Sequence, residues 1–285
     1  MTAAIHDARV CELGEGALWH PLRGQLFWFD ILGRRLLTRD AAGAPRAWDF
    51  DEHVSAAGWV DEDRLLIASE TALFLFDLRD GRRESVVALE ADRPQTRSND
   101  GRADPWGGFW IGTMGKAAEP GAGALYRWYG GTLRQVRAGM TIPNAICFGP
   151  DGLVYFADTA TRVIHHQRLD ADGWPAGEAA VHLDLSREGL HPDGAVVDAE
   201  GCLWNAQWGA GRVARYAPDG RFLAAHAVPA AQTSCPAFGG ALLDTLFVTS
   251  AAEGDRSAGA GMTWRLEGIG VRGRPEPRVT VGGGA

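Results

Sequence analysis

The sequence predicts an all-β fold: a six-bladed β-propeller with four-stranded blades around a central channel. Three observations predict it. A turn-then-strand phrase recurs six times at a near-constant interval. A second, alternating segment follows most copies. No long amphipathic helical pattern interrupts them.

The phrase is a turn with Asp, Pro or Gly, then a short aromatic or β-branched run. Its copies are "WHPLRGQLFWFDI" (19–31), "WVDEDRLLIAS" (59–69), "ADPWGGFWIGT" (103–113), "FGPDGLVYFADT" (148–159), "VDAEGCLWNAQW" (197–208) and "FGGALLDTLFVTS" (238–250). Aligned at Trp28, Ile67, Ile111, Phe156, Asn205 and Val248, they are 39, 44, 45, 49 and 43 residues apart. The following segments include "RRLLTRD", "ALFLFDL", "GALYRWY", "RVIHHQRLD", "GRVARYAPDG" and "MTWRLEG". They alternate apolar and polar residues as half-buried strands do. A period of about 40–50 residues with several strands per unit marks a propeller array, each unit a blade packed face to face with its neighbours.

Closing such a ring calls for strands from the two chain ends to share one blade, and the sequence leaves open which segment does so. Independent β-sandwiches fit less well, because the period is continuous and no linker-like stretch divides it. The chain therefore reads as one domain over residues 1–285, with room for a short helical turn in "LDLSREGL" (183–190).

Composition narrows the function. The 285 residues are 46% hydrophobic and 22% charged, with 38 Gly and 11 Trp, as expected of a globular protein of short strands and tight turns. The formal charge is −8 with no basic stripe, which argues against nucleic acid as a partner. Cys11, Cys147, Cys202 and Cys235 form no C-x-x-C pair, so they read as reduced, mostly buried thiols of a cytoplasmic protein. "MTAAIHDARVCELGEG" has no apolar leader core, and no apolar run is long enough to cross a bilayer, so no membrane partner is expected. Oligomeric state is left open.

In a propeller the loops at one face converge on the channel mouth. Acidic and amide residues just before the innermost strand of each blade, a few residues upstream of the repeat phrase that is expected to form it, are therefore candidates for function. Glu15 in "LGEGALW", Asn144 in "TIPNAICFGPDG" and Asp193 in "HPDGAVVDAEG" each stand four residues before the first residue of their phrase. The same offset gives Asn99 in blade three, Ser55 in blade two and Ser234 in blade six. Any one of these is more often a turn residue, but turn residues have no reason to keep phase with the strands. Three oxygen donors from three blades suit one divalent cation, Ca²⁺, Mg²⁺, Mn²⁺, Zn²⁺ or Fe²⁺. Three protein ligands leave positions for water and substrate, as in catalytic metal sites.

These residues carry a family resemblance. "LGEGALWH", "RSNDGRADPWGGFWIGTMG", "TIPNAICFGPDGLVYFADT", "HPDGAVVDAEGCLWNAQWGAGRV" and "TSCPAFGG" resemble the senescence marker protein, regucalcin and gluconolactonase family, in family order from about residue 12 to about 275. The resemblance implies a six-bladed propeller, a single divalent metal in the channel and hydrolysis of sugar lactones. It carries the metal ligands onto Glu15, Asn144 and Asp193, and substrate contacts onto Arg97 and Asn99. Asp100 reads as a brace for the loop. One departure is visible: where some members carry an acidic substrate contact after "GTM", this chain has Ala117, leaving Lys116 or Glu119 as stand-ins.

The expected function is divalent-metal-dependent hydrolysis of a sugar (aldono-) lactone, with Asp193 as both ligand and catalytic base. The alternatives are a non-catalytic calcium-binding or regulatory protein, and another metal-dependent esterase on the same scaffold. No G-x-S-x-G elbow or H-E-x-x-H helix competes. His165 and His166 are adjacent on one strand and so point to opposite faces. Trp110 and Trp204 read as packing between blades, while Trp208, past a strand end, is a candidate pocket wall.

Overall fold

Hydrogen bonding pairs the strands into six separate four-stranded antiparallel sheets. In five of them chain order runs strand by strand across the blade. The structure, a computed structural model, describes residues 2–282; residue 1 and residues 283–285 of the expected domain lie outside them. The architecture is the six-bladed propeller that the repeat predicts. The single helical element among the described residues is a 3₁₀ turn at Pro150–Gly152; of residues 183–190, the first two end a strand and 186–189 form a turn instead of a helix.

The innermost strands are Gly14–His20, Val54–Trp59, Thr96–Ala103, Pro143–Phe148, His191–Val197 and Thr233–Gly239. The repeat phrases fall on the second strand of each blade: all six alignment residues, from Trp28 to Val248, are 1% exposed or less. The alternating segments form the third strands, from Arg35–Arg39 in blade 1 to Thr263–Glu267 in blade 6. The phrase was expected to start the innermost strand, with the in-phase polar residues just before it. They lie inside that strand instead. Likewise Arg97, Ser98, Asn99 and Asp100 are strand residues and not a loop.

The ring closes with the N-terminal strand. Thr2–Asp7 pairs antiparallel with Thr263–Glu267, Ile5 opposite Trp264, as the outer strand of blade 6. Each pair of neighbouring blades encloses its own apolar cluster, for example Phe27, Phe29, Ile67, Phe74 and Phe76 between blades 1 and 2. Fully burying such a side chain is worth about 1.5–3 kcal/mol, so the interfaces hold the ring together. Trp28, Trp110 and Trp204 belong to these clusters. All four cysteines are free and buried.

Two tryptophans also complete a repeated polar device. Asp104 accepts the Trp106 and Gly108 amides at 2.9 and 2.8 Å, the Trp110 indole at 3.1 Å and Arg127 Nε at 2.6 Å. In blade 5, Asp198 does the same for Glu200, Cys202, Trp204 and Arg215. One buried carboxylate thus fixes the turn, the second strand and the third strand of its blade.

A C-terminal strap, absent from the sequence reading, crosses the face opposite Glu15, Asn144 and Asp193. Gly273 N donates to Leu243 O at 2.7 Å, Arg274 to Phe148 O at 2.9 Å, Val279 N to Trp59 O at 2.9 Å and Thr280 N to Gly107 O at 2.9 Å. On the way Glu276 pairs with Arg102 at 2.9 Å, both side chains largely buried.

Candidate active site

All six innermost strands break register near their N-terminal ends, between Glu15 and Leu18, Val54 and Ala56, Ser98 and Gly101, Asn144 and Cys147, Pro192 and Ala195, and Thr233 and Pro236. A bulge re-aims side chains that a regular pleat would alternate. It explains the shared phase of the polar residues. The strands converge there, so the residue after each candidate ligand is small. Gly16 has φ +58°, and a Cβ on it would collide with the Ser55 carbonyl oxygen; a Cβ on Gly194 would stand 2.8 Å from Ser234 O.

Glu15, Arg97, Asn99, Asn144 and Asp193 all line one cavity of about 390 Å³ at this end of the channel. Its apolar wall includes Leu13, Met114, Ile142 and Trp208. The two serines at the same offset do not reach the cavity: Ser55 donates to Ser98 Oγ at 2.8 Å, and Ser234 bonds the Gly14 carbonyl and the Thr249 hydroxyl.

A chain of hydrogen bonds orients the amides. Arg97 Nη1 donates to Asn99 Oδ1 at 2.8 Å, and Asn99 Nδ2 donates to Asn144 Oδ1 at 3.2 Å and Pro143 O at 3.0 Å. Asn144 Nδ2 donates to Thr159 Oγ1 at 2.9 Å, and Thr159 in turn donates to Pro192 O at 2.6 Å. Asn144 therefore turns its carbonyl oxygen, and not its NH₂, toward Asn99.

The carboxylates are crowded. Burial, then the charge of Asp100, pushes Glu15 up to about 8. Burial and the facing Glu15 push Asp193 well above the usual carboxylate range. Burial brings Arg97 down to about 10, against the opposing pull of Glu15 and Glu253. Asp100 does not line the cavity; its Oδ2 accepts the Ile146 amide at 2.7 Å, and burial pushes it up to about 6.

This donor set fits a hard divalent cation. Two buried, mutually repelling carboxylates and an oriented amide carbonyl supply oxygen ligands and a charge deficit that one cation would relieve. Among the described residues no three His, Cys, Asp or Glu side chains are grouped to hold a metal; the third oxygen here is an amide.

Other sequence candidates are placed elsewhere. Lys116 pairs with Glu70 at 2.7 Å, and Glu119 accepts the Ala117 amide of its own loop at 3.1 Å; neither lines the cavity. His165 stacks on Phe156, while His166 faces Tyr155 and His182 on the other side of its sheet. Sequence reasoning missed Thr159, His191 and Glu253, which line the cavity from blades 4, 5 and 6. It also missed two aspartates that end second strands. Asp30 accepts the Leu13 amide at 3.1 Å, and Asp158 accepts those of Thr141 and Ile142 at 2.8 and 3.1 Å. Each fixes the approach to Glu15 or Asn144. The signal was the matching Asp in "FWFDI" and "YFADT".

Fold and site together define a propeller with a small-molecule pocket in its channel mouth, built from acids and amides of different blades. Residues 13–252 match the SMP-30/Gluconolactonase/LRE-like region, and the chain belongs to that family. A Rhizobium meliloti protein, provisionally named a sugar lactone lactonase, is 43% identical over 277 residues, 93% of each chain. L-arabinolactonase of Azospirillum brasilense is 40% identical over 254 residues, covering 85% of this chain and 82% of that one. Among solved structures, a calcium-binding protein, regucalcin, of Agrobacterium tumefaciens is similar with a TM-score of 0.95 and 40% identity over 98% of each chain.

Proposed function

We propose that the protein hydrolyses sugar (aldono-) lactones in this cavity with one divalent cation held by Glu15, Asn144 and Asp193. The observation that carries the reading is the placement of two buried acids, Glu15 and Asp193, face to face beside the Asn144 carbonyl in a cavity of about 390 Å³. The names of the similar proteins support the substrate class.

When bound, a divalent cation supplies Lewis acidity for an ester carbonyl and charge for a developing oxyanion. The remaining work belongs to the chain. Arg97 and Asn99 hold the lactone by its hydroxyls or ring ester and fix the angle of attack. Asp193 accepts a proton from the attacking water on its carboxylate while the water oxygen bonds to the carbonyl carbon. The ring C–O bond then breaks, the same proton passes to the ring oxygen, and an open-chain sugar acid leaves. The apolar wall of Leu13, Met114, Ile142 and Trp208 limits bulk water around the reacting ester.

The likeness to a calcium-binding protein favours a second reading, cation binding without catalysis. A panel of glucono-, galactono-, xylono-, arabino- and rhamnonolactones decides between them. Chelated protein with each cation added back is expected to hydrolyse at least one lactone above the spontaneous rate. No hydrolysis with any cation would leave only the binding reading.

A further inference from the structure

We propose that Glu253 determines specificity: its carboxylate accepts substrate hydroxyls opposite Arg97 and turns away lactones that carry an anionic substituent. This rests on the lactone reading above. The loop after the second strand of blade 6 brings Glu253 over the cavity. Its backbone is pinned to the segment that leads into Glu15: Glu253 N and Ala252 N donate to Glu12 O at 3.0 and 3.1 Å, and Cys11 N donates to Gly261 O at 2.9 Å. The turn beyond is closed by Asp255 N to Ala252 O at 3.1 Å. The position of Glu253 over the cavity is therefore built in.

The side chain, by contrast, has no protein partner. Among the described residues the Glu253 carboxylate makes no hydrogen bond or ion pair, although it lines the same cavity as Arg97 and its charge is felt there. Arg97 commits only Nη1 within the protein, to Ser98 O at 2.9 Å and Asn99 Oδ1 at 2.8 Å. Its Nε and Nη2 are left for a ligand. An acceptor and a donor across one cavity, with Met114 and Trp208 as apolar wall, suit a polyhydroxylated ring that has hydroxyl edges and a C–H face.

Competing carboxylates at this mouth are already engaged. Glu70 takes Lys116 at 2.7 Å and His53 at 2.8 Å, and Glu119 binds its own loop. The acidic contact missing at Ala117 in blade 3 is thus supplied from blade 6. Charge adds selectivity. Glu15, Asp193 and Glu253 stand against Arg97 in the lining, so a single divalent cation leaves the cavity formally neutral. An uncharged lactone fits that balance, whereas a sulfonate or carboxylate on the sugar adds an unbalanced negative charge beside Glu253.

The test compares wild type, Glu253→Gln and Glu253→Arg, all with cation, on D-glucono-1,5-lactone, D-glucaro-1,4-lactone (which carries a carboxylate) and δ-valerolactone (which has no hydroxyls). Glu253→Gln is expected to raise KM for the gluconolactone about tenfold with kcat little changed, the size of one charge-assisted hydrogen bond. Its preference for gluconolactone over δ-valerolactone falls by the same factor. Glu253→Arg is expected to raise kcat/KM on the glucarolactone relative to the gluconolactone by about tenfold or more, since a repulsion becomes an attraction. Wild-type ratios in both variants would overturn the proposal while leaving the lactone reading intact. Calorimetric binding of D-glucitol, which cannot be hydrolysed, separates the two further. Should no lactone be hydrolysed at all, glucitol binding weakened in Glu253→Gln still supports the contact, and unchanged or absent binding in both proteins overturns it.

Discussion

Asp100 Oδ2 accepts the backbone amide of Ile146 at 2.7 Å, across the boundary between blades 3 and 4. Asp100 follows Asn99 and Ile146 lies two residues past Asn144, so this bond sets the two amides side by side. Asp100→Ala removes the acceptor of a buried N–H, at an expected cost of about 1–3 kcal/mol. A lowered thermal midpoint and weaker cation binding are expected, with Asp100→Asn milder because it keeps an acceptor. An unchanged midpoint and affinity in Asp100→Ala would show that the bond does not position Asn144.

Asp193→Ala is expected to abolish both lactone hydrolysis and stoichiometric cation binding, measured by product formation and calorimetry. The same change should stabilise the cation-free protein at pH 8, because Glu15 loses the buried like charge that faces it. Full activity in this variant would remove Asp193 from the chemistry.

Stability should depend on pH in a direction opposite to that of an ordinary salt-bridged protein. Glu15 is held at about 8 against an ordinary 4.5, and Asp193 is raised as well. A carboxyl with a raised folded pKa binds its proton more tightly folded than unfolded. Its contribution is full below 4.5 and is lost as pH rises toward 8. Chelated protein should therefore melt at progressively lower temperature from pH 4.5 to pH 8 through these groups, and a saturating divalent cation should flatten the slope. Wild type compared with Glu15→Gln isolates the contribution; identical slopes with and without Glu15 would contradict it.

The strap makes a separate prediction. Glu276→Ala strands the Arg102 charge in the lower channel, and breaking a buried pair this way typically costs about 3–5 kcal/mol. The double change Arg102→Met with Glu276→Leu should recover most of that in chemical denaturation. Loss confined to a few tenths of a kcal/mol in Glu276→Ala would mean that solvent reaches the pair.

Most of the ring was legible because its strands keep a period. Trp28, Ile67 and Val248 mark buried strands in the sequence as clearly as in the structure, although which strand of the blade they form emerges only on folding. The offset that picked out Glu15, Asn99, Asn144 and Asp193 survives folding for a reason the sequence hid: a bulge in every innermost strand re-aims that position, and in these four blades its side chain reaches the cavity. Features without a period stayed invisible. The strap after Ile269 alternates with nothing and bonds mainly through backbone groups to turns and strand ends of five blades. The N-terminal strand "TAAIHD" is too short and mixed to announce which blade it completes. Glu253 sits in a loop of small and polar residues, where only three-dimensional convergence reveals that it faces Arg97.

The most direct measurement is lactone hydrolysis by chelated wild-type protein as a single divalent cation is titrated in. No hydrolysis above the spontaneous rate is expected at the start, then a rise that saturates near one equivalent per chain and is absent from Asp193→Ala. A full rate in the chelated, folded protein, or saturation unaffected by loss of Asp193, would contradict the proposed function.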